Sequence, residues 1–561
     1  MTHSTATSTS LTEEFLPKIV TVLRDGYRRD DLRADALAGL TVAIVALPLS
    51  MAIAIASGVG PERGLYTAIV GGFLVSLFGG SRYQIGGPAG AFIVLIALCV
   101  AQTGIAGLLA ATFLSGVMLL ALGALRLGSY IRYIPYPVTV GFTAGIAVII
   151  LASQMRDFLG LTLPSAEPAE LLPKIAALWQ ARGTASPAAV AVAAGTVAAI
   201  LILRRIRPGW PGMLIAVALA SVAVATLGLP VETIGSRFGA LPRMLPAPAL
   251  PDLSLLAAAL PWAASFTLLG AIESLLSALV ADGMSGTRHR SNAELMAQGV
   301  ANMGAALFGG FCVTGTIART ATNVRAGSRG PVSGMLHALI LLAFMLIAAP
   351  LAAHVPLAAL AGLLVVVAWN MAEKDVFWGL LRTSRADAAV LMVTFLLVVF
   401  RDLTEGIVAG AALGGAVFVK RMSEAARVEH ATPAAPELPA GMQDGDTVVY
   451  RLQGAWFFGA AARLGSALDR IADRPRVLVM DCTEVPFVDS SGARSFGLLA
   501  RKMARKGGVL WIAGANRAVR RELLAHGVRK PGARYAATVA DALERSRVGT
   551  SGGLTGPPPR V

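Results

Sequence analysis

The segment LFGGSRYQIGGPAGAF, residues 77–92, passes from an apolar helical pattern through a polar, glycine-rich break into a second helical pattern. Its first four residues recur at 307–310, where LFGGFCVTGTIART again places a break, at 314–316, before a new helix. Backbone N–H and C=O groups cannot stay unpaired in hydrocarbon, so a break at membrane depth survives only inside protein or beside a watery cavity. The meaning of the two breaks therefore depends on whether the surrounding chain lies in a membrane.

The composition indicates that lipid surrounds most of the chain. Of the 561 residues, 55% are hydrophobic and 14% are charged, whereas soluble domains carry about 25% charged residues. The mean hydropathy is +0.67. Apolar stretches near the ~20 residues of a membrane span predict about fourteen transmembrane helices. These start near Asp35, Gly64, Pro88, Ile105, Pro135, Pro187, Pro211, Pro261, Asn292, Thr316, Pro331, Pro356, Asp387 and Leu403.

The net charge of +15 reflects orientation in the membrane and not nucleic-acid binding. Lys and Arg are concentrated in alternate connections between the predicted helices, from Arg28 before the first helix to Lys420 and Arg421 after the last. Because cytoplasmic connections carry such a basic excess, both termini are predicted to be cytoplasmic. The six histidines form no ligand cluster and the three cysteines have no paired spacing, so no metal site, cofactor or disulfide is expected.

Changes in composition divide the chain into five segments. Residues 1–34 are predicted to be a cytoplasmic N-terminal segment and 35–422 the transmembrane domain. Residues 423–443 are polar and proline-rich, which is typical of a linker. From 444 to 547, strand-like runs such as PRVLVMDCTEV alternate with helical ones, which predicts a cytoplasmic α/β domain. Residues 548–561 are predicted to be disordered.

Each break is followed by a helix that starts at membrane depth. Such a start leaves about four backbone N–H groups without partners and carries a partial positive charge of roughly one half. Two starts that face each other would bind an anion with few charged side chains. The alternative for each break is a kink packed against a neighbouring helix. The candidate anion-binding residues are Ala89, Gly90, Ala91 and Phe92 in the first start and Thr316, Ile317, Ala318 and Arg319 in the second.

Glu273 is the second signal, because an ionisable residue within an apolar helix is costly and functional by default. Ser277 lies one turn further along the same face. Glu273 could carry a coupling proton, or with Ser277 it could bind Na⁺. The alternative is a carboxylate that pairs with Arg319 or caps backbone groups. Possible cavity-lining residues in the first helix are Pro48, which would kink it, Leu49 and Ser50, although a kink that serves packing is equally compatible.

Six motifs, in order along the chain, resemble the sulfate permease family and its solute carrier family 26 relatives. They are VALPLSMAIAIASGVGPERGLYTAIVGG, GGSRYQIGGPAGAF, YIPYPVTVGFTAGIAV, GAIESLLSALVADGMSGTRH, TIARTATNVRAGSRGPVSG and FVDSSG. The similarity covers about residues 35 to 547 and looks closest to the bacterial C4-dicarboxylic acid transporter branch. It implies fourteen spans in two inverted seven-helix repeats, core and gate domains, a C-terminal STAS domain and a homodimer.

The resemblance also implies roles for individual residues. It places an anion between the two helix starts named above, an acidic position at Glu273, and a hydroxyl ligand of sodium-coupled bicarbonate members at Ser277. Many members have Gln at the position of Leu49 and Thr or Ser at that of Ala89, so an anion here would depend more on backbone N–H groups. Ser490 matches a serine that is phosphorylated in soluble relatives of the C-terminal domain, and the alternative is an N-cap.

The residues and the resemblance together predict an elevator-type secondary anion transporter of the bacterial inner membrane, not an enzyme. The expected substrates are C4-dicarboxylates such as succinate, fumarate and aspartate, taken up with protons. The alternatives are a sulfate or Na⁺-coupled bicarbonate transporter, a nucleobase permease of the same architecture, and a membrane-anchored sensor or scaffold that signals through the STAS domain. The expected partners are the anion, membrane lipid, a second copy and a cytoplasmic protein at the STAS domain, with no nucleic acid.

Overall fold

The computed structural model describes residues 14–131, 135–164, 167–168, 170–207, 210–401, 403–430, 447–458 and 476–551. The chain divides into two compact units, Met1–Ala412 and Leu413–Val561. The first unit is helical and the second contains a sheet.

The helices of the first half follow the apolar stretches of the sequence, and prolines stand in the first turn of several of them, where a missing N–H costs nothing. They are α1 Lys18–Arg24, α2 Arg29–Ala56, α3 Pro61–Tyr66, α4 Gly72–Phe78, α5 Ile93–Ala124, α6 Gly128–Ile131, α7 Tyr136–Leu159, α8 Leu171–Gln180, α9 Pro187–Ile206 and α10 Gly212–Leu227. A π-helical turn, Thr67–Gly71, joins α3 to α4. Gly104, with a φ of 69°, interrupts α5 and divides it into two of the predicted spans.

The second half repeats this organisation. Its helices are α11 Ile234–Phe238, α12 Leu256–Ser285, α13 Ser291–Leu307, α14 Ile317–Arg325, α15 Val332–Ala352, α16 Leu357–Met371, α17 Lys374–Thr383, α18 Arg385–Phe400 and α19 Leu403–Ala425. Among the described residues, fourteen helical segments correspond to the fourteen predicted starts. Eight helices of the described chain are long and apolar enough to cross a membrane.

The helices of the first unit pack in two groups. The first group contains α2 to α5 and α12 to α15, with α5 against α12 and α13, and α2 against α15. The second contains α7, α9, α10, α16 and α18, with α7 against α16 and α18. We call these the core group and the gate group, and both breaks belong to the core group. The first unit also holds two short strands, β1 Gly86–Gly87 and β2 Thr314–Gly315.

The second unit is an α/β domain. It contains β3 Arg427–His430, β4 Thr447–Gln453, β5 Val477–Glu484, α20 Ser490–Arg505, β6 Val509–Ala513, α21 Arg517–Ala525, β7 Ala533–Ala536 and α22 Val539–Ser551. Its sheet has the order β3-β4-β5-β6-β7, in which β3 is antiparallel to β4 and the other neighbours are parallel. The buried apolar strand VLVMDC packs between α20 and α22, as the alternating sequence pattern predicts.

The domain limits differ in places from those expected from composition. Strand β3 lies within the segment predicted to be a linker, because its short polar sequence RVEH carries no apolar run that marks it as a strand. The rest of that segment, 431–443, lies outside the described residues. Helix α22 extends to Ser551, and the remaining tail, 552–561, also lies outside them. Helix α2 begins at Arg29, before the predicted membrane boundary.

Cys99, Cys312 and Cys482 are free and buried, and burial raises the pKa of the Cys482 thiol to about 12.

The N-cap alternative for Ser490 is wrong. The side chain of Asp489 accepts a hydrogen bond from the Gly492 N–H and is the cap, while Ser490 is the first helical residue and is exposed.

Candidate functional site

The two breaks are paired with each other in a two-stranded antiparallel ladder. Strand β1, Gly86–Gly87, pairs with β2, Thr314–Gly315, so that Gly86 lies opposite Gly315. Thr316 extends the ladder, since its N–H donates to the Ile85 carbonyl at 3.0 Å. The ladder satisfies backbone groups that the interrupted helices leave open, which hydrocarbon could not do. The breaks therefore form one structure and are not two separate packing kinks.

A helix starts on each side of this ladder without a side-chain cap. Ala89 precedes a 3₁₀ turn, Gly90–Phe92, that leads into α5, and Thr316 precedes α14. Gly90 is partly exposed, while Ala89 and Thr316 are each 8% exposed. The first N–H groups of both starts are thus left for a ligand, and the positive ends of the dipoles favour an anion.

The neighbouring residues of the two starts differ in burial. Ala91 and Phe92 are buried, and the Phe92 ring packs edge-on against Phe266. Ile317 is partly exposed and Ala318 is exposed. The accessible edge of the site is therefore formed by the Gly90, Ile317 and Ala318 positions, with an apolar floor at Phe92.

Arg319 lies buried between the first break and α2. Its Nη2 donates to the Ser50 hydroxyl at 3.1 Å and to the Pro88 carbonyl at 3.3 Å. Its Nη1 faces β1 so closely that a Cβ at Gly87 would lie 2.5 Å away. Nε and Nη1 have no hydrogen-bond partner within the described chain. A buried charge without a counter-ion costs several kcal/mol, so this guanidinium is suited to receive an anion.

Glu273, on α12, is 7% exposed and makes no hydrogen bond or ion pair with any described residue. Within the described part of the chain, neither the ion pair with Arg319 nor the backbone cap that the sequence left open is formed. Ser277 is buried and donates to the Thr320 hydroxyl oxygen at 3.0 Å, which also accepts the Ile85 N–H at 3.1 Å. Ser277 therefore ties α12 to α14 and the ladder, whereas the Glu273 carboxyl is left unpaired.

The first-helix candidates lie beside this site. Pro48 is buried within α2, and Leu49 is 7% exposed and packs in the main apolar cluster. Ser50 is fully buried and contacts the ladder region through its bond to Arg319. Of the three, Ser50 alone makes a polar contact with a residue of the site among the described residues.

Each copy of LFGG is crossed by a helix from the other half of the chain. The N–H that directly follows the first copy, on Ser81, donates to the Glu294 carboxylate at 3.0 Å. The N–H that directly follows the second copy, on Phe311, donates to the Thr67 hydroxyl at 2.9 Å. The last glycine of each copy permits the approach, since a Cβ at Gly80 would lie 2.1 Å from a main-chain oxygen. We call these two contacts the reciprocal braces.

Sequence reasoning missed a polar row on α13 that extends one of the braces. The Glu294 carboxylate also accepts from the side-chain amides of Gln84 at 2.8 Å and Gln298 at 2.9 Å. One turn further, Asn302 accepts from the Val313 N–H at 2.9 Å and donates to the Val313 carbonyl at 2.8 Å. The four-residue spacing of Glu294, Gln298 and Asn302 places them on one face, and that spacing is the signal that could have revealed the row.

The fold and the site together define a membrane transporter for small anions, with half-helix starts and a buried arginine at its centre. The chain belongs to the sulfate permease family, whose model matches residues 32–394, and a STAS domain model matches residues 440–542. The predictions of this family, its membrane fold and its C-terminal STAS domain are therefore confirmed, as is the prediction that the protein is not an enzyme.

Individual relatives are similar over most of the chain. The putative sulfate transporter YvdB of Bacillus subtilis is 42% identical over 495 residues, which cover 87% of this chain and 92% of the relative. The bicarbonate transporter BicA of Picosynechococcus sp. is 29% identical over 88% of this chain and 90% of the relative.

Two solved structures share the fold. The overall structure of SLC26A9 superposes with a TM-score of 0.83 at 18% identity, and covers 96% of this chain and 94% of that one. The transmembrane domain of a cyanobacterial bicarbonate transporter BicA is 33% identical, with a TM-score of 0.61, and covers 68% of this chain and 98% of that one. The chain is thus a multi-pass anion transporter of this family.

Proposed function

We propose that the protein takes up C4-dicarboxylates such as succinate, fumarate or aspartate together with protons, by elevator-type movement of the core group against the gate group. The observation that carries the anion site is Arg319, whose Nε and Nη1 are unpartnered beside two paired helix starts. Hydrogen bonds from a charged donor to an anion are strong when water is excluded. The separate packing of the two helix groups supports an elevator, because one group can move while the other stays fixed.

Proton coupling is assigned to Glu273. An unpaired carboxyl in this position is costly to keep charged in a low dielectric, and the described residues give it no cation or donor that would hold it ionised. Protonation as the anion enters would remove one negative charge from the moving core group. The loaded core would then cross a low-dielectric environment at a smaller electrostatic cost.

Sulfate is the second candidate substrate, because the YvdB relative, at 42% identity, is named a putative sulfate transporter. Bicarbonate with Na⁺ is a third, since BicA is named a bicarbonate transporter and Ser277 offers a hydroxyl oxygen one turn from Glu273. Leu49 and Ala89 supply no polar side-chain groups, so the backbone N–H groups and Arg319 would select mainly by charge and size. Competition for uptake among fumarate, succinate, aspartate, sulfate and bicarbonate, with and without Na⁺, separates these substrates.

The cellular setting is proposed on the same basis. The distribution of basic residues supports a cytoplasmic position for both termini, and the family supports a homodimer in the bacterial inner membrane. Ser490 is exposed in the first turn of α20, where a phosphate would interact favourably with the helix dipole. We propose it as a regulatory phosphorylation site and docking point for a cytoplasmic partner.

The proposed coupling is tested in proteoliposomes with an inward-acid gradient. Glu273→Gln should strongly reduce gradient-driven uptake while anion binding persists, because the anion site itself is intact. Glu405→Gln, an exposed carboxylate that pairs with Arg401, is the matched control and should behave as wild type. Gradient-driven uptake that is unchanged in Glu273→Gln would refute this role, and failure of the wild type to transport any anion would favour the sensor or scaffold alternative.

A further inference from the structure

His337 is a buried titratable residue that the proposed mechanism does not use. It lies on α15, is 0% exposed, and neither of its ring nitrogens makes a hydrogen bond within the described residues. The Ser76 hydroxyl on α4 is also buried without a partner. Buried polar atoms without partners are rare in folded proteins, and each calls for an explanation such as a bound water or a functional role.

The imidazole lies directly behind the first break. Its Cε1 is 3.7 Å, and the Gly86 carbonyl oxygen 2.9 Å, from the point that a Cβ at Gly72 would occupy. One helical turn further along the contact between α4 and α15, the Ser76 hydroxyl oxygen is 2.1 Å from the point that a Cβ at Gly334 would occupy. The ring is therefore bordered by β1 and α4, with oxygen atoms near it that could accept a hydrogen bond from a protonated imidazole.

Burial is the main obstacle to a charge on this imidazole, and the positive charge of Arg319 adds to it. The Arg319 Nη1 faces Gly87, the residue next to Gly86 on the same short strand. The turn Thr67–Gly71 and helix α4, which also pack against α15, contain no charged residue.

The other charged residues on elements packed against α15 lie on α2 and α3. In the first turns of α2, Arg29, Asp30 and Arg33 are exposed, and Asp31 accepts a hydrogen bond from the Arg28 N–H. Asp35 of α2 accepts hydrogen bonds from Tyr27 and from the Ser328–Gly330 segment. On α3, Arg63 donates to the Gly309 carbonyl at 2.7 Å, and both Arg63 and the preceding Glu62 are partly exposed.

This arrangement links anion binding at Arg319 to protonation of His337 thermodynamically. While the Arg319 charge is uncompensated, it opposes a second positive charge on His337. An anion bound at the Arg319 Nε and Nη1 compensates that charge and so makes protonation of His337 easier. By linkage, the proton strengthens anion binding by the same factor.

We propose that His337 takes up a second proton with the anion, so that a divalent anion crosses the membrane with two protons and no net charge. The inference rests on the proposed proton-coupled uptake, in which Glu273 carries the first proton. One proton alone would leave a net negative charge to be moved against an inside-negative potential. Moving one charge against the potential costs about 2.3 kcal/mol per 100 mV. At a potential of about 100 mV, that charge would therefore lower equilibrium accumulation about 50-fold.

The test measures accumulation of radiolabelled fumarate in proteoliposomes at equal pH on both sides, with potassium diffusion potentials of zero or about −100 mV inside. Wild-type accumulation should be the same at both potentials. In His337→Gln it should fall about 50-fold at the negative potential, while anion affinity at zero potential stays within a few-fold of wild type. His354→Gln, an exposed histidine at the end of the same helix, is the control and should resemble wild type.

Several results would overturn the proposal without touching the proposed function. Wild-type accumulation that falls about 50-fold at −100 mV, as the movement of one uncompensated charge requires, would exclude the second proton. It would leave the proposed coupling to one proton intact. Accumulation in His337→Gln that is as insensitive to potential as in wild type would exclude His337. If His337→Gln does not fold, a count of protons per anion with a pH-sensitive dye in wild type decides the matter, and one proton per anion refutes the inference. Labelled sulfate, also a dianion, replaces fumarate if the dicarboxylate is not transported.

Discussion

Replacement of Gly80 by alanine should destabilise the core group more than any comparable change in the other LFGG copy. A Cβ at Gly80 would lie 2.1 Å from the Arg290 carbonyl oxygen and 2.8 Å from the Glu294 nitrogen, whereas ordinary contact begins at 3.4 Å. Both atoms belong to the main chain, so no side chain can rotate away. The start of α13 would have to move by more than 1 Å relative to the end of α4.

The magnitude follows from two losses. Overpacking of this kind costs typically about 1–3 kcal/mol, and main-chain contacts belong at the upper end of that range. The displacement also disturbs the hydrogen bond of 2.9 Å from the Arg290 N–H to the Gly80 carbonyl, which contributes about 1 kcal/mol. We therefore expect Gly80→Ala to lower the free energy of unfolding by about 3–4 kcal/mol.

Gly310→Ala is the internal comparison and should cost less. The nearest atom to its Cβ would be the Thr67 hydroxyl at 2.8 Å, a side-chain atom, and the nearest main-chain atoms would be at 3.1 Å. Gly195→Ala is the control. It lies within α9 with no atom closer than 4 Å, so it should be neutral or stabilising by up to about 1 kcal/mol.

The three variants are compared in detergent by unfolding in denaturant and by the temperature at which half of the protein leaves the monodisperse peak in size-exclusion chromatography. The expected order of stability is Gly195→Ala, then Gly310→Ala, then Gly80→Ala. A Gly80→Ala variant with the unfolding midpoint of wild type, or one more stable than Gly310→Ala, would refute the close crossing of α13 over the first LFGG.

Two further substitutions test the site. Arg319→Gln should weaken anion binding about 10- to 100-fold, since hydrogen bonds to charged groups are worth about 1.5–3 kcal/mol. Calorimetry in detergent measures this, and an unchanged dissociation constant would contradict the role of Arg319. Asn302→Leu should cost about 2–6 kcal/mol of stability, because it leaves the Val313 N–H and carbonyl buried and unpaired. Asn370→Leu is the control, because Asn370 is an exposed amide bonded to Arg204, and it should change stability by less than about 0.5 kcal/mol. Equal effects of the two substitutions would contradict the role of Asn302 in pairing the Val313 backbone groups.

The fold was largely predictable because lipid imposes a simple rule on composition. Runs of apolar residues and prolines at helix starts located the fourteen segments, and the requirement for backbone pairing indicated that both breaks lie inside protein or beside a watery cavity. The position of Arg319 at the start of α14 could be expected, since it follows the second break by three residues, whereas its contacts with Ser50 and the Pro88 carbonyl could not. Its lack of an ion pair with Glu273 could not, because that depends on the rotation of α12 relative to α14.

Other features were hidden by their sequence context. Helix α13 contains Glu294, Gln298 and Asn302 among alanine and glycine residues, so its polar row looked like a weakly apolar span. His337 stood in the apolar run of α15 without a motif to mark it. At the start of α20, Asp489 and Ser490 are both of residue types that commonly cap helices, and the backbone dihedral angles, which assign the cap to Asp489, are not encoded in residue type.

The reciprocal braces impose an order on biosynthesis. The bond between Ser81 and Glu294 joins residues 213 positions apart, and at about 5–20 residues per second the ribosome needs roughly 10 to 40 s to supply the second partner. During that interval the first half of the protein occupies the bilayer with the N–H groups of its break unsatisfied. The Ser81 N–H must then depend on the translocon, on lipid headgroups or on water until α13 arrives, and the backbone groups of β1 must do so until β2 follows it.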